Sequence, residues 1–372
     1  METTKQNEHI GFRVAAARKQ ADLTQEALSD ALGFKDRQIL SNIESGKRAL
    51  SPEELVKIME VTGLDLNFFT DPYRLVGEGR FSFRAEKADA EMLNDFESQA
   101  GRWVALYRRL TTLDGDPRFA VTPYTLSLKL GYENTFEEAA AAAEWLQREW
   151  ELGPVPSRTL VEAAERELRL LVLFVDAPDG ISGAACRLTD LDTVIVNRRD
   201  NPGRRHYDFA HELFHILTWD RMPPARMDVA NPKAHKAKRA EQMANAFASR
   251  LLFPKDELRT RWECRDANTS TEQSLRNLAK SFGTSTQALF WRLVNDGLLE
   301  KDAVSDYRSL PEPLWDSVDT PRTFSGDFLR ILHKSLDSGA ISARKASKVL
   351  GVTLEEMAML FDEHGLSRPY DL

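Results

Sequence analysis

The stretch YDFAHELFHILTW places His211, Glu212 and His215 in an H-E-x-x-H arrangement. On a helix, positions four apart share a face, so both imidazoles can reach one ion while the Glu212 carboxylate points at its edge. A catalytic zinc site takes three protein ligands and keeps a further position open. The chemistry would be hydrolysis: a divalent ion lowers the pKa of its water toward about 7, and a neighbouring carboxylate takes the proton. Four of the seven histidines fall between residues 206 and 235, which confines this chemistry to one segment.

Two histidines are an incomplete set, and the third ligand should come from another helix. RAEQMANAFASRLLFP reads as one, stopped by Pro254, with Glu241 lying 26 residues after His215. Ala244, Asn245 and Ala248 are small enough for this helix to approach the first closely, and Phe247 and Leu251 would face the core. Asp228 and His235, in the Pro-containing stretch between the two helices, compete for the same role. Developing negative charge would call for a further donor. Arg205, His206 and Tyr207 are near in sequence, and spacing does not choose among them.

The site needs a scaffold, and one is legible upstream. LLVLFV (Leu170 to Val175), Gly183 to Arg187 and Thr193 to Val196 read as strands of a small sheet, preceded by a helix near Thr159 to Leu168. Long helices are expected from Glu86 to Thr112 and from Ala139 to Glu151, with Trp103, Tyr107, Trp145 and Trp150 packing them. Residues 71 to 85, containing Gly77, Gly79 and FSFRA, read as a linker.

The first seventy residues carry clear punctuation for five short helices. Helix one spans His9 to Lys19 with Ile10, Val14 and Ala17 at helical spacing. Thr24 caps a second over Gln25 to Leu32, with Leu28 and Leu32 as its buried pair. Asp36 caps a third through Glu44, with Ile39 and Ile43 inward and Arg37, Gln38, Ser41 and Asn42 outward; Gly46 ends it. Ser51-Pro52-Glu53-Glu54 forms a capping box before Leu55, Ile58 and Val61. Two helices joined by a glycine turn, the second presenting polar and basic residues, make a helix-turn-helix that can enter a major groove. Arg37 could bind guanine and Gln38 adenine.

Length and composition agree with this division. At 372 residues the chain holds two or three domains, and 42% hydrophobic with 29% charged residues is ordinary globular composition. A net charge of −8 excludes a protein that coats nucleic acid through a large basic surface, but permits one small DNA-reading face. Asp30, Asp36 and Glu44 weaken non-specific binding, which points to a homodimer on a two-fold operator. Cys186 and Cys264 have no C-x-x-C spacing, so neither disulfide framework nor cysteine zinc knuckle is expected. With no long apolar run and a polar start, a soluble cytoplasmic protein without membrane contact is expected.

Residues 10 to 70, through LTQEALSDALGF and the IESGKR ending, resemble the XRE (lambda-repressor-like) family, although the segment from Gly33 to Glu44 is one residue longer than the commonest spacing. The resemblance implies that Gln25 touches phosphate and that Arg37, Gln38, Ser41 and Asn42 approach bases, with Lys35 and Lys47 flanking them. The H-E-x-x-H helix and the E-x-x-A-N-x-F-A-x-x-L-L-x-P helix, with the Ile195 to Asn197 strand and Arg205, resemble the ImmA/IrrE metallopeptidase family over roughly residues 136 to 300. This implies His211, His215 and Glu241 as metal ligands and Glu212 as general base. Phe214 departs from the small residue common there in the family; it would narrow the cleft or pack away from it. The stretch from Leu275 to Leu299 has helix, glycine turn and helix phrasing that family members share, which favours a packing subdomain over a second DNA reader. Pro311, Pro313 and Pro321 mark a linker. The tail, Gly339 to Leu366, with Ile341, Ala346, Leu350, Leu354 and Leu360 as core positions, resembles small helical antitoxins or serves as a terminal helical cap.

The expected architecture is therefore multidomain and mostly α: a five-helix helix-turn-helix domain at 1-72, linker and connecting helices at 73-135, an α+β zincin-like metallopeptidase with a small sheet at 136-300, and a helical tail at 322-372. The expected function is a transcriptional regulator binding operator DNA, with a zinc-dependent endopeptidase, manganese being the other metal such ligands accept, that cleaves a protein such as an XRE-type repressor on a signal. The alternative is an antitoxin or autorepressor bound to a cognate toxin, with a structural or sensory peptidase fold.

Overall fold

The computed structural model describes residues 2–77, 79–85, 89–115, 126–224, 234–304, 306–315 and 320–370. Its N-terminal bundle comprises α1 (Glu2–Gln20), α2 (Gln25–Leu32), α3 (Arg37–Glu44), α4 (Pro52–Thr62) and α5 (Leu66–Thr70). The punctuation works as its chemistry requires. Thr24 accepts from the Ala27 amide, Asp36 from that of Gln38, and Ser51 and Glu54 bond reciprocally across the first turn of α4. No Pro or Gly interrupts residues 2–10, and α1 starts ahead of His9.

Val14, Ala17, Leu28, Leu32, Leu40, Ile43, Ile58 and Phe69 form the bundle core. Two expected core positions differ. Leu40, not Ile39, is the buried partner of Ile43 on α3, because positions three apart bring it squarely onto α1 and α2; Ile39 sits at the core edge. Val61 is exposed, since the last turn of α4 runs past the packed surface.

The rest of the chain continues through β1 (Arg80–Ala85), α6 (Ala90–Asp114), α7 (Phe136–Glu149), α8 (Leu160–Leu168), β2 (Leu171–Val175), β3 (Ile181–Arg187) and β4 (Asp192–Asn197). Then follow α9 (Pro202–Thr218), α10 (Ala234–Leu252), α11 (Lys255–Glu263), α12 (Thr271–Phe282), α13 (Thr286–Asn295), α14 (Gly326–Asp337), α15 (Ala343–Leu350) and α16 (Leu354–Glu363). The strands form one sheet in the order β1-β3-β4-β2, with β2 and β4 parallel and the other pairs antiparallel. The three strands expected from sequence are present. Residues 80–85, however, are not linker: they pair with β3 from Arg80↔Arg187 to Arg84↔Gly183 and extend the sheet at its edge.

Alternation along the strands buries both faces. Val172, Ala185, Val194 and Val196 pack against α9 and its neighbours, whereas Phe81, Phe83, Leu171, Leu173, Ala184 and Ile195 point to the far side. That far core is completed by Trp103 and Leu106 of α6 together with Phe328, Leu332, Ile341, Leu350 and Phe361 of the C-terminal region. Gln99 donates to the carbonyls of Val349 and Leu350, and Trp103 Nε1 to that of Leu350, each at 3.0 Å, so α6 serves as the C-cap of α15. The tail thus shares a core with the sheet, as a helical cap does. Leu354 is only partly buried at its edge. Trp150 is buried like Trp103, while Trp145 is 37% exposed and does not pack as expected. Among the described residues no helix is long and apolar enough to cross a membrane.

Candidate metal centre

The helix α9 carries the H-E-x-x-H residues through the molecule's interior, and its placement is fixed at three points. Asn201 caps it by accepting from the Arg204 amide, with Pro202 in its first turn. Gly203 touches the turn between α12 and α13: a Cβ there would lie 2.5 Å from the Thr284 carbonyl carbon and the Ser285 nitrogen, so no other residue permits this seating. His206 Nδ1 donates to the Gly283 carbonyl at 2.7 Å, and Arg205 donates to the carbonyls of Arg198 and Asp200. Arg205 and His206, which sequence left as candidate donors to the reaction, therefore anchor the helix. Tyr207 stays near the site, its hydroxyl 3.2 Å from the Asn245 carbonyl, and burial pushes its pKa to about 12.

His211, Glu212 and His215 are each no more than 2% exposed. Across from them α10 presents Glu241, whose carboxylate oxygens lie 3.0 Å from His211 Nε2 and 3.3 Å from His215 Nε2. The two Nε2 atoms are 3.1 Å apart, and one ligand atom from each of the three residues lies within 4.8 Å of the others. One turn beyond Glu241, Asn245 Oδ1 stands 3.1 Å from His211 Nδ1. With that nitrogen donating, His211 Nε2 carries a lone pair directed at a carboxylate. Acceptors facing acceptors in a buried pocket are the donor set of a divalent cation, and these residues fit a metal with two imidazole nitrogens and a carboxylate.

Of the competing ligands, only His235 lies within the described residues. His235 lies on the exposed first turn of α10, not in a loop at the site, and Asp228 lies outside the described residues. Phe214 is fully buried against Phe247, ring centroids 5.3 Å apart, so it packs away from the cleft rather than narrowing it.

Electrostatics separates the four groups. Burial raises the Glu212 pKa to about 7, and its Oε2 has no hydrogen-bond partner among the described residues. Burial lowers His211 to about 4. At His215 burial works against the charged form, but the bond to Glu241 and the charges of Glu212 and Glu241 outweigh it and the pKa rises. Burial opposes ionisation of Glu241 too, yet the two histidines beside it hold it well below the usual carboxylate range. The centre therefore holds one firmly ionised carboxylate opposite the histidines and one, Glu212, poised near neutrality.

Sequence reasoning missed two neighbours of this centre. Gly183 of β3 lies against Glu212, whose Cγ would be 3.6 Å from a Cβ at that position. Asp208, one turn before Glu212 on α9, is 1% exposed and pairs with Arg84 of β1 at 3.1 Å; burial raises its pKa to about 6. Its four-residue spacing from Glu212 was the available signal. Arg84 gave none, because its segment read as linker.

In the N-terminal bundle, Arg37 and Gln38 are exposed on the first turn of α3, and Ser41 and Asn42 are half-buried one turn on. Gln38 donates to Asn42 Oδ1 at 3.2 Å. Lys35 and Lys47 flank the helix in full exposure. Gln25, at the start of α2, is partly buried. Its amide donates to Glu44 at 2.7 Å, and Glu44 also takes Arg18 at 2.6 Å, so Gln25 belongs to an internal network that ties α2 to α3 and α1.

Residues 14–69 match the family model described as helix-turn-helix, and residues 170–293 match the one described as IrrE N-terminal-like domain, a peptidase family. The second span begins just before β2 and ends within α13, enclosing the whole metal centre. No curated protein matches the chain. The chain thus joins a helix-turn-helix DNA-binding domain to a metallopeptidase-like domain.

Proposed function

We propose that this protein is a DNA-binding transcriptional regulator whose second domain is a zinc-dependent endopeptidase that cleaves a regulatory protein, with an XRE-type repressor as the expected substrate. The observation that carries the reading is the convergence of His211, His215 and Glu241 on one point, with the buried carboxylate of Glu212 on the helix of the two histidines. His211, His215 and Glu241 would hold the ion, with Asn245 orienting His211. Bound there, zinc supplies Lewis acidity toward a peptide carbonyl and acidifies water. Glu212 is the general base. Its pKa near 7 suits it to accept a proton from water and then deliver it to the departing amine nitrogen. The buried walls around α9 exclude bulk water, which strengthens each of these interactions.

On the DNA side, α3 is the recognition helix, with Arg37, Gln38, Ser41 and Asn42 facing bases and Lys35 and Lys47 facing phosphates. A homodimer would supply the second half-site. The test is metal content of the purified wild type beside His211→Ala and Glu241→Ala. One equivalent of zinc, lost in both variants, is the expected result; a wild type that refuses zinc and other divalent ions removes the enzymatic reading.

A further inference from the structure

A groove with a cavity volume of about 1120 Å³ runs beside the metal centre. Its walls include Asn245, which touches His211, and Tyr207 and Asp208, which precede Glu212 on α9. Most of the lining comes from helices of the peptidase-like segment. Arg84 does not. It arrives on β1, a strand that starts ten residues after the last helix of the DNA-binding bundle and lies outside both matched segments.

The pleat explains its aim. Phe81 and Phe83 fill the far core, so Arg84 points to the α9 side, where its register partner is Gly183, the residue that lies against Glu212. Two contacts and its exposure define the guanidinium. Nε stands 3.1 Å from Asp208 Oδ1, the Cζ atom lies 5.5 Å from the centre of the Tyr207 ring, and 24% of the side chain stays exposed at the groove. Nη1 is shielded from water and has no hydrogen-bond partner among the described residues. A buried N–H without a partner is costly, and a ligand oxygen would recover that cost.

Asp208 pairs with Arg84, and Arg204, 3.7 Å from the other Asp208 oxygen, is also matched by Asp200 at 3.8 Å, so two carboxylates balance the two guanidinium groups. What remains is a donor-only group with no surplus charge, which suits a neutral carbonyl better than a carboxylate. We propose that Arg84 is a substrate-anchoring residue, donating to a backbone carbonyl of the polypeptide lying in the groove while Asp208 and Tyr207 hold the guanidinium plane. The inference rests on the peptidase reading above. It adds that the strand leaving the DNA-binding bundle contributes directly to substrate binding.

The test uses full-length protein loaded with one equivalent of zinc. A pool of phosphinic pseudo-peptides randomised on both sides serves as the binding probe, and a pool of fluorogenic peptides reports kcat and KM. Arg84→Ala is expected to weaken phosphinate binding about 10- to 100-fold, with KM rising more than kcat falls and zinc content unchanged. Arg84→Lys keeps charge and stem but loses the planar fork, and should recover only part of the affinity; it carries the comparison where Arg84→Ala does not fold. Both variants binding and cleaving like wild type would overturn the role of Arg84 and leave the peptidase reading intact. A zinc-loaded wild type that retains no pool member and cleaves no peptide would overturn the peptidase reading, and this inference with it.

Discussion

His211 Nδ1 lies 3.1 Å from Asn245 Oδ1, and Asn245 stands one turn beyond Glu241 on the same helix. A single face of α10 therefore supplies both a ligand-type carboxylate and the acceptor that fixes the tautomer of the histidine opposite. Because outer partners of this kind orient the ring and raise its basicity, Asn245→Ala should weaken zinc affinity about 10- to 100-fold while leaving the fold intact. Competition with a chromophoric chelator, alongside far-UV circular dichroism, reads both quantities. Unchanged affinity would show that packing alone orients His211.

Glu212→Gln separates binding from turnover. The carboxyl is buried, has one oxygen without a partner among the described residues, and has its pKa raised by burial to about 7. Removing the base should cut cleavage of a peptide pool about 10²- to 10⁴-fold while zinc stays bound, since Glu212 is not among the converging ligands. The amide also removes a charge that is costly to bury, so at pH 8 the zinc-free variant should melt at or above the wild-type temperature. Retained cleavage would exclude Glu212 from the mechanism.

What could be read from sequence followed how local the physics is. Capping at Thr24, Asp36 and Ser51 depends on neighbours within a turn, and each cap formed as its residues dictate. The H-E-x-x-H face is equally local, and Glu241 was recoverable because its helix carries small residues on the side that meets α9. The role of residues 80–85 was not recoverable in this way. Phe81 and Phe83 alternate as a strand should, but their partners, Cys186 and Ala184, lie about a hundred residues away, and the flanking glycines read as linker. Missing that strand hid Arg84, and with it the partner of Asp208. The bond from Gln25 to Glu44, nineteen positions downstream, was equally beyond local reading.

Recognition by α3 makes separable predictions for two kinds of residue. Arg37 and Gln38 are exposed on its first turn, positioned for base edges, whereas Lys35 and Lys47 flank it. Arg37→Ala should cost about 1–3 kcal/mol on the selected operator and relax preference at one base pair. Lys47→Ala should weaken binding evenly across sequences and reduce the slope of log K against log salt by about 1. Fluorescence anisotropy on operator and scrambled duplexes across a salt series distinguishes them. A salt slope untouched by Lys47→Ala and by Lys35→Ala would move the DNA face off α3.

Glu165 gives the fold a pH dependence separate from catalysis. It lies on α8, and burial, followed by the nearby charges of Asp327 and Glu162, raises its pKa from 4.5 to about 7 against the opposing influence of Arg330. A carboxyl whose folded pKa exceeds its unfolded value favours the folded state in its protonated form. Its stabilising contribution is complete below pH 4.5 and is lost as pH rises through about 7. Glu165→Gln keeps the neutral shape at every pH. At pH 8 it should raise the unfolding free energy by about 1–2 kcal/mol, a figure discounted for residual solvent screening, and at pH 4.5 it should change little. Denaturant titrations of wild type and variant at the two pH values test the sign. A gain equal at both would mean that the amide stabilises by packing, and a loss at pH 8 would mean that the carboxylate has a favourable partner in the folded state.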